Sequence, residues 1–269
     1  MCLRRMIEVL KSKDKEEIAR LTTQLEDSRK TKYIHPQEQF WNNKYPTALI
    51  TYGGRYMPRL KPDSPFDKID IPVQLFITPN DQVIQNDIKA YGLGVKDPFK
   101  CNEDILQLYR HTRTKPLNPY RYEFDQPNTG VPEFWFFPHE LRFAKKGDCD
   151  DWGNELASYL IAAGVPRFRV RNYGGYTWGN YGHLTVYVLA DDLTTWYHLN
   201  STTPINTITQ TKLEEFPKHG DPNDEFGIRD GWFSFNDMYA WHTFKTDMAA
   251  TSFMKRPGFL KNIKIEAMV

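Results

Sequence analysis

The apolar positions of this chain change period along its length, and each change marks an element. From Asp148 to Pro166 they recur at helical spacing, with Trp152, Leu156, Tyr159, Leu160 and Ala163 on one face. The pattern predicts a helix marked at both ends. Asp148 is its N-cap, Asp151 adds negative charge at the positive end of the dipole, Gly164 follows its last turn and Pro166 stops further winding. Gly153 inside it costs about 1 kcal/mol against Ala, so a close packing partner is expected there.

Downstream the period falls to two. Gly182–Leu189 and Thr194–Asn200, joined through Asp191-Asp192, read as a hairpin. A two-residue turn sets His183 opposite Asn200, whereas a three- or four-residue turn moves the partner to Ser201 or Thr202. Ile71–Ile77 and Phe168–Val170 read as strands. Helices are expected from Asp81 to about Tyr91 and from Asn102 or Glu103 to about His111. Residues 116–132 and 173–182 read as loops, and 32–70 as mostly irregular with one strand at 47–51. Over 1–31 the stripes Leu3, Met6, Ile7, Leu10 and Ile18, Leu21, Leu25 lie on a charged background. They predict an amphipathic helical arm that packs on its own domain or docks a partner. Near the end, Trp232, Phe233, Phe235, Met238, Tyr239, Trp241 and Phe244 should pack on the core, with a helix from about Asn236.

Composition narrows the classes. The 35 Lys+Arg against 34 Asp+Glu give a net charge of +1, so nothing argues for a nucleic-acid partner. No run is long and apolar enough for a membrane helix, and no signal peptide is expected. Cys2, Cys101 and Cys149 are odd in number and far apart, which fits a reducing compartment or a catalytic thiol better than a disulfide framework.

The chemistry is read at the helix start. Cys149 is its first residue, where the dipole and unpaired N–H groups favour a thiolate and can hold an oxyanion. Asp148, Asp150 and Asp151 oppose the thiolate, so a cationic partner is needed. His183 supplies it, with Asn200 as orienting group, completing a nucleophile, base and orienter set. His139, ten residues before Cys149, competes poorly with His183 as base, and His198, two residues before Asn200 on the same strand face, is the rival for a place in the site. Zinc at Cys149 and His183 would need two more ligands that no Cys-x-x-Cys or His-x-x-His spacing provides. Asp221–Gly227 departs from a calcium loop, with its Gly one place late and no Glu at the twelfth position. Gly53-Gly54 lacks the Lys-Ser/Thr of a phosphate loop. The expectation is no metal and no cofactor.

Gly147-Asp148-Cys149-Asp150-Asp151, the ending Ala162-Ala163-Gly164-Val165-Pro166, Gly182-His183 and Trp196–Thr202 resemble the transglutaminase-like superfamily, most closely its bacterial cysteine peptidases. Phe134–Leu141 is similar to the segment that leads into the Cys helix there. The resemblance covers roughly 100–205 and departs from the family at Asn200, where Asp is usual, and after His183. It implies an α+β papain-like core with the Cys helix on an antiparallel sheet, flanked by the 1–31 arm, a 32–99 extension and a 206–269 extension. It also implies thiol-dependent acyl transfer on a peptide or protein amide through Cys149, His183 and Asn200. Trp135 and Asp148 would support the oxyanion, and the protein would sit in a bacterial cytoplasm. A catalytically silent assembly protein, such as a bacteriophage virion component, is the competing expectation, with residues 1–31 as its contact to a partner or a second copy.

Overall fold

The computed structural model describes residues 15–25, 36–44, 50, 55–58, 66–69, 71–113, 120–130, 133–202, 209–212 and 225–242. Its helices are α1 (15–25), α2 (Pro36–Lys44), α3 (Gln82–Tyr91), α4 (Asn102–Thr112), α5 (Asp125–Thr129), α6 (Pro138–Ala144) and α7 (Cys149–Ala162). The strands are β1 (Arg55–Pro58), β2 (Phe66–Ile69), β3 (Arg121–Tyr122), β4 (Lys146–Gly147), β5 (Val170–Thr177), β6 (Gly182–Leu189), β7 (Thr195–Leu199), β8 (Thr209–Lys212), β9 (Ile228–Phe235) and β10 (Ala240–His242). Among the described residues no helix is long and apolar enough to cross a membrane.

An antiparallel six-stranded sheet, in the order β10-β9-β5-β6-β7-β8, forms the middle layer. Strand alternation gives it two buried faces. Leu184, Val186 and Val188 of β6 join Leu156, Ala157 and Leu160 of α7, together with residues of α3 and α4. Tyr187 and Leu189 point the other way, into a cluster with Trp41 of α2, Trp196 and Trp241. Trp41 meets Trp196 edge-on at 6.0 Å, and Trp241 Nε1 donates to Asn42 Oδ1 at 2.7 Å, which pins α2 to that face. The expected α+β arrangement, a Cys-bearing helix on an antiparallel sheet, is therefore present. Of the N-terminal arm, residues 15–25 form a helix whose Ile18, Leu21 and Leu25 pack on the core, and 1–14 lie outside the described residues.

Several expectations need correction. Ile71–Ile77 is not a strand: Val73–Phe76 is a buried 3₁₀ turn after Pro72, because an all-apolar run does not by itself separate a buried turn from a strand. The 116–132 loop contains β3 and α5, and the Pro-started α6 went unread. Residues 167–169 form a 3₁₀ turn, and β5 runs on from Val170 through the first half of the expected 173–182 loop. The expected helix from Asn236 is a tight turn between β9 and β10, with Asn236 Oδ1 accepting from the N–H groups of Met238 and Tyr239. Asn42 and Glu38 show that 32–70 holds a helix as well as irregular chain. The strand expected over 47–51 falls almost wholly outside the described residues, as do 221–224 and Phe244.

β5 misled the sequence reading because its glycines look like loop residues. They serve close approach instead: a Cβ on Gly175 would lie 2.5 Å from Asp230 O and 2.8 Å from Gly231 Cα of β9, beside a register shift between Gly174 and Gly175. Gly175→Ala is accordingly expected to destabilise the fold by about 2 kcal/mol, as overpacking against backbone does. Thermal unfolding should show a Tm lower by roughly 4–8 °C. An unchanged Tm would mean that β9 slides freely past β5.

Candidate active site

Cys149 sits where the sequence set it, at the first position of α7. Asp148 before it is extended, with φ −113° and ψ −153°. The helix start is locked by Asp151, whose Oδ2 accepts from Asp148 N at 3.1 Å and whose Oδ1 accepts from Phe136 N at 2.7 Å. α7 then lies against β6 at Gly153, where a Cβ would come within 2.7 Å of Leu184 Cδ2. That contact is the close partner expected for a glycine inside the helix. It also brings β6 to the thiol, because the Leu184 N–H faces the Cys149 sulfur and favours its ionised form.

His183 is the neighbouring residue, 8% exposed, opposite Gly175 on β5 and 6.2 Å from the Phe226 ring. The structure thus brings Cys149 and the His183 strand together. It does not do so for Asn200 as expected. The β6–β7 pairs Val186↔Leu199 and Leu189↔Trp196 mean a four-residue turn, not two, since Asp192 caps it by accepting from the Thr194 and Thr195 N–H groups. This register moves the position facing His183 to Thr202. The Asn200 amide oxygen accepts from the Thr202 N–H at 3.0 Å and the Thr202 hydroxyl at 2.9 Å, while its Nδ2 has no partner among the described residues. A donor left over cannot accept an imidazole N–H, so the expected bond from His183 to Asn200 is not one this amide makes. His198 is no rival, being bonded to Thr185 Oγ1 at 2.8 Å and stacked on Tyr187. His139 pairs with Asp81 at 2.7 Å on the surface. Trp135 is a core aromatic whose indole N–H goes to Glu133 Oε1 at 2.7 Å, so it is committed away from an oxyanion.

The electrostatics at the helix start are severe. The Cys149 thiol is pushed well above its ordinary value by burial first and then by the Asp148 charge, with only the Leu184 N–H lowering it appreciably. Burial likewise raises Asp148, Asp150 and Asp151. It takes Asp125 up to about 10, helped by Asp148, Glu133 and Asp151 and opposed by the Phe134 N–H. The Oδ1 atoms of Asp125, Asp148 and Asp150 are buried without a hydrogen-bond partner among the described residues. One ligand atom each from Asp125, Asp148 and Asp151 lie within 4.8 Å of one another, as do those of Asp148, Cys149 and Asp150. So many oxygen donors fit a hard divalent cation, and read as helix caps in sequence they concealed that capacity.

Behind the thiol, Glu155 of α7 accepts from Tyr120 Oη at 2.8 Å, and Arg142 Nε donates to the same hydroxyl at 2.7 Å. Burial raises the Glu155 carboxyl from 4.5 to about 8, against lowering by Tyr120 and Arg142. A carboxyl raised on folding keeps its proton in the folded state while the unfolded chain loses it. Its stabilising effect is therefore full below about pH 4.5 and falls as pH rises to about 8, by about 1.4 kcal/mol per unit. Glu155→Gln should lack that slope, so the wild-type minus variant difference in urea midpoints should fall as pH rises from about 4.5 to about 8. A parallel pair of pH curves would show that Glu155 titrates normally.

Sequence reasoning missed Asp125, Glu133, Leu184 and Tyr122. Their signal is topological, since β3 and the 133–137 segment are brought to the Cys loop only by the fold. Tyr122 is raised by burial and then by the charges of Cys149 and Asp148, which places it beside the thiol.

No protein-family model and no curated protein matches the chain. Among solved structures it is similar to LapG of Legionella pneumophila, at 22% identity and TM-score 0.41, over 68% of this chain and 94% of that one. An EGTA-treated LapG gives 20% and TM-score 0.42, over 64% and 84%. A calcium-bound LapG gives 20% and 0.41, over 64% and 88%.

Proposed function

We propose that this is a thiol acyl-transfer enzyme of the transglutaminase-like superfamily, acting on a peptide or protein amide. The observation that carries the reading is the placement of Cys149 at the N-terminus of α7 with the Leu184 N–H, next to His183, facing its sulfur. In the reaction the Cys149 sulfur attacks the amide carbonyl. His183 takes the thiol proton and returns it to the departing amine, and the Cys149 N–H at the helix start holds the oxyanion. Water then releases an acid, or an amine acceptor forms a new amide; both routes share the acyl-enzyme. Asn200 acts at most through the turn it forms with Thr202.

The orphaned buried oxygens of Asp125, Asp148 and Asp150, with Asp151, suit a hard cation. When bound, it would offset the negative charge that opposes the Cys149 thiolate. Asp148, common to both groups of close ligand atoms, would hold it with Asp125 and Asp151 or with Asp150 and fix the loop ahead of Cys149.

The test is acylation by p-nitrophenyl acetate. The reading expects a burst of p-nitrophenolate matching the enzyme present, with the acetyl group mapped to Cys149. Cys101 should stay unmodified, because it is fully buried against Arg169 and its thiol is pushed up to about 11, chiefly by burial. A folded protein in which Cys149 resists acylation, with or without calcium, would instead be the silent scaffold.

A further inference from the structure

β3 is a two-residue strand with one edge covered. The N–H groups of Arg121 and Glu123 reach Lys145 O and Gly147 O, each at 3.0 Å, in a parallel ladder with β4. Alternation along a strand turns the N–H and C=O of Tyr122, between them, toward the opposite edge, where they have no partner among the described residues. That edge is also apolar and accessible. Tyr122 is 38% exposed and Phe124 36%, and their rings meet edge-to-face at 5.5 Å. Tyr122 rests in turn on Trp152, one turn after the nucleophile, with ring centroids 5.7 Å apart. It pairs with Gly147, two residues before Cys149.

Exposed strand edges are normally blunted, because they recruit another strand. This one is short and lies beside the thiol. We infer that it docks the substrate: an extended segment on the acyl side of the scissile bond adds to β3 through the Tyr122 N–H and C=O and lays an apolar side chain on the Tyr122–Phe124 pair. The inference rests on the acyl-transfer reading. Only an acyl-side segment stays docked through both half-reactions, since the amine side leaves after the first. The added strand would lie about 4.8 Å beyond β3, and because Tyr122 pairs with Gly147, two residues before Cys149, the docked residue falls near the scissile bond.

The experiment compares alkylation rates of Cys149 in the full chain by three probes: iodoacetamide, a short neutral peptidyl vinyl sulfone with a central Leu, and the same peptide with that Leu N-methylated. N-methylation should slow the peptidyl probe about tenfold, the effect of one lost hydrogen bond. Phe124→Ser should lower the ratio of peptidyl to iodoacetamide rates about fivefold, roughly the effect of one exposed aromatic contact. Equal rates for the two peptidyl probes on wild-type protein, while iodoacetamide alkylates Cys149, would overturn the docking edge and leave the thiol chemistry standing. The same conclusion follows if the ratio is unchanged in Phe124→Ser. A Cys149 inert to all three probes would overturn the docking edge together with the reading beneath it.

Discussion

Cys149→Ala is expected to abolish the p-nitrophenolate burst while leaving the thermal transition within a few degrees of wild type. The alanine side chain fits the same helix start, and neither the Asp148 N–Asp151 bond nor the Gly153–Leu184 contact involves the sulfur. What goes is the only described atom at the α7 N-terminus able to form a covalent acyl intermediate. His183→Ala should keep the sulfur and its Leu184 N–H but lose the proton acceptor, slowing acylation by roughly 10²–10⁴. Asn200→Ala is the contrasting case. Its amide oxygen serves Thr202, and the Tyr109 hydroxyl bonds its main-chain carbonyl, which the substitution keeps. A loss of less than about tenfold is therefore expected, the size of one local hydrogen bond or so. Rates of burst formation across the three variants check the order. An Asn200→Ala defect as deep as that of His183→Ala would restore Asn200 as the orienting group, with its amide turned over during turnover.

The α7 helix was legible because its information is local. The cap, the periodic face and the Gly-Val-Pro ending all lie within one short window, and Gly153 even announced its partner. β6 and β7 were legible as strands for the same reason. Their register was not, because it depends on whether Leu193 or Thr195 closes the turn opposite Ala190. Asp192 decides this through hydrogen bonds to the Thr194 and Thr195 N–H groups that no periodicity encodes. The slip separates Asn200 from its assigned position. The carboxylate group shows the same limit in three dimensions. Asp148, Asp150 and Asp151 were visible as neighbours in sequence, but their burial is set by Phe136, Glu133 and Asp125, which arrive from elsewhere. A solvated acidic helix start and a buried one have the same sequence. Only the packed chain tells them apart.

That burial sets up the largest expected response to solution conditions. Calcium at about a hundred times its Kd should stabilise the protein by about 2.7 kcal/mol and raise Tm by roughly 5–10 °C. Burial and mutual repulsion make ionising Asp125, Asp148, Asp150 and Asp151 together costly in the folded chain. Each carboxyl is raised on folding, so in the absence of a cation the cluster favours the folded state below the unfolded value of 3.8. It loses that contribution as pH rises toward the folded values, about 10 for Asp125. A divalent cation reverses the sign by pairing with the ionised oxygens, and protons compete with it. The calcium-induced Tm shift should therefore be larger near about pH 8 than near about pH 5, and EGTA should remove it. Magnesium should do less, because it demands octahedral geometry and gives up its waters reluctantly. Asp150→Asn should shrink the calcium response while raising the calcium-free Tm, since it deletes one of the charges the fold cannot easily bury. Scanning calorimetry in calcium and in EGTA at both pH values checks all of this. Transitions that calcium leaves unmoved at both pH values would mean that the carboxylates hold no ion, and a calcium-free Tm that does not fall from about pH 5 to about pH 8 would mean that folding does not raise them.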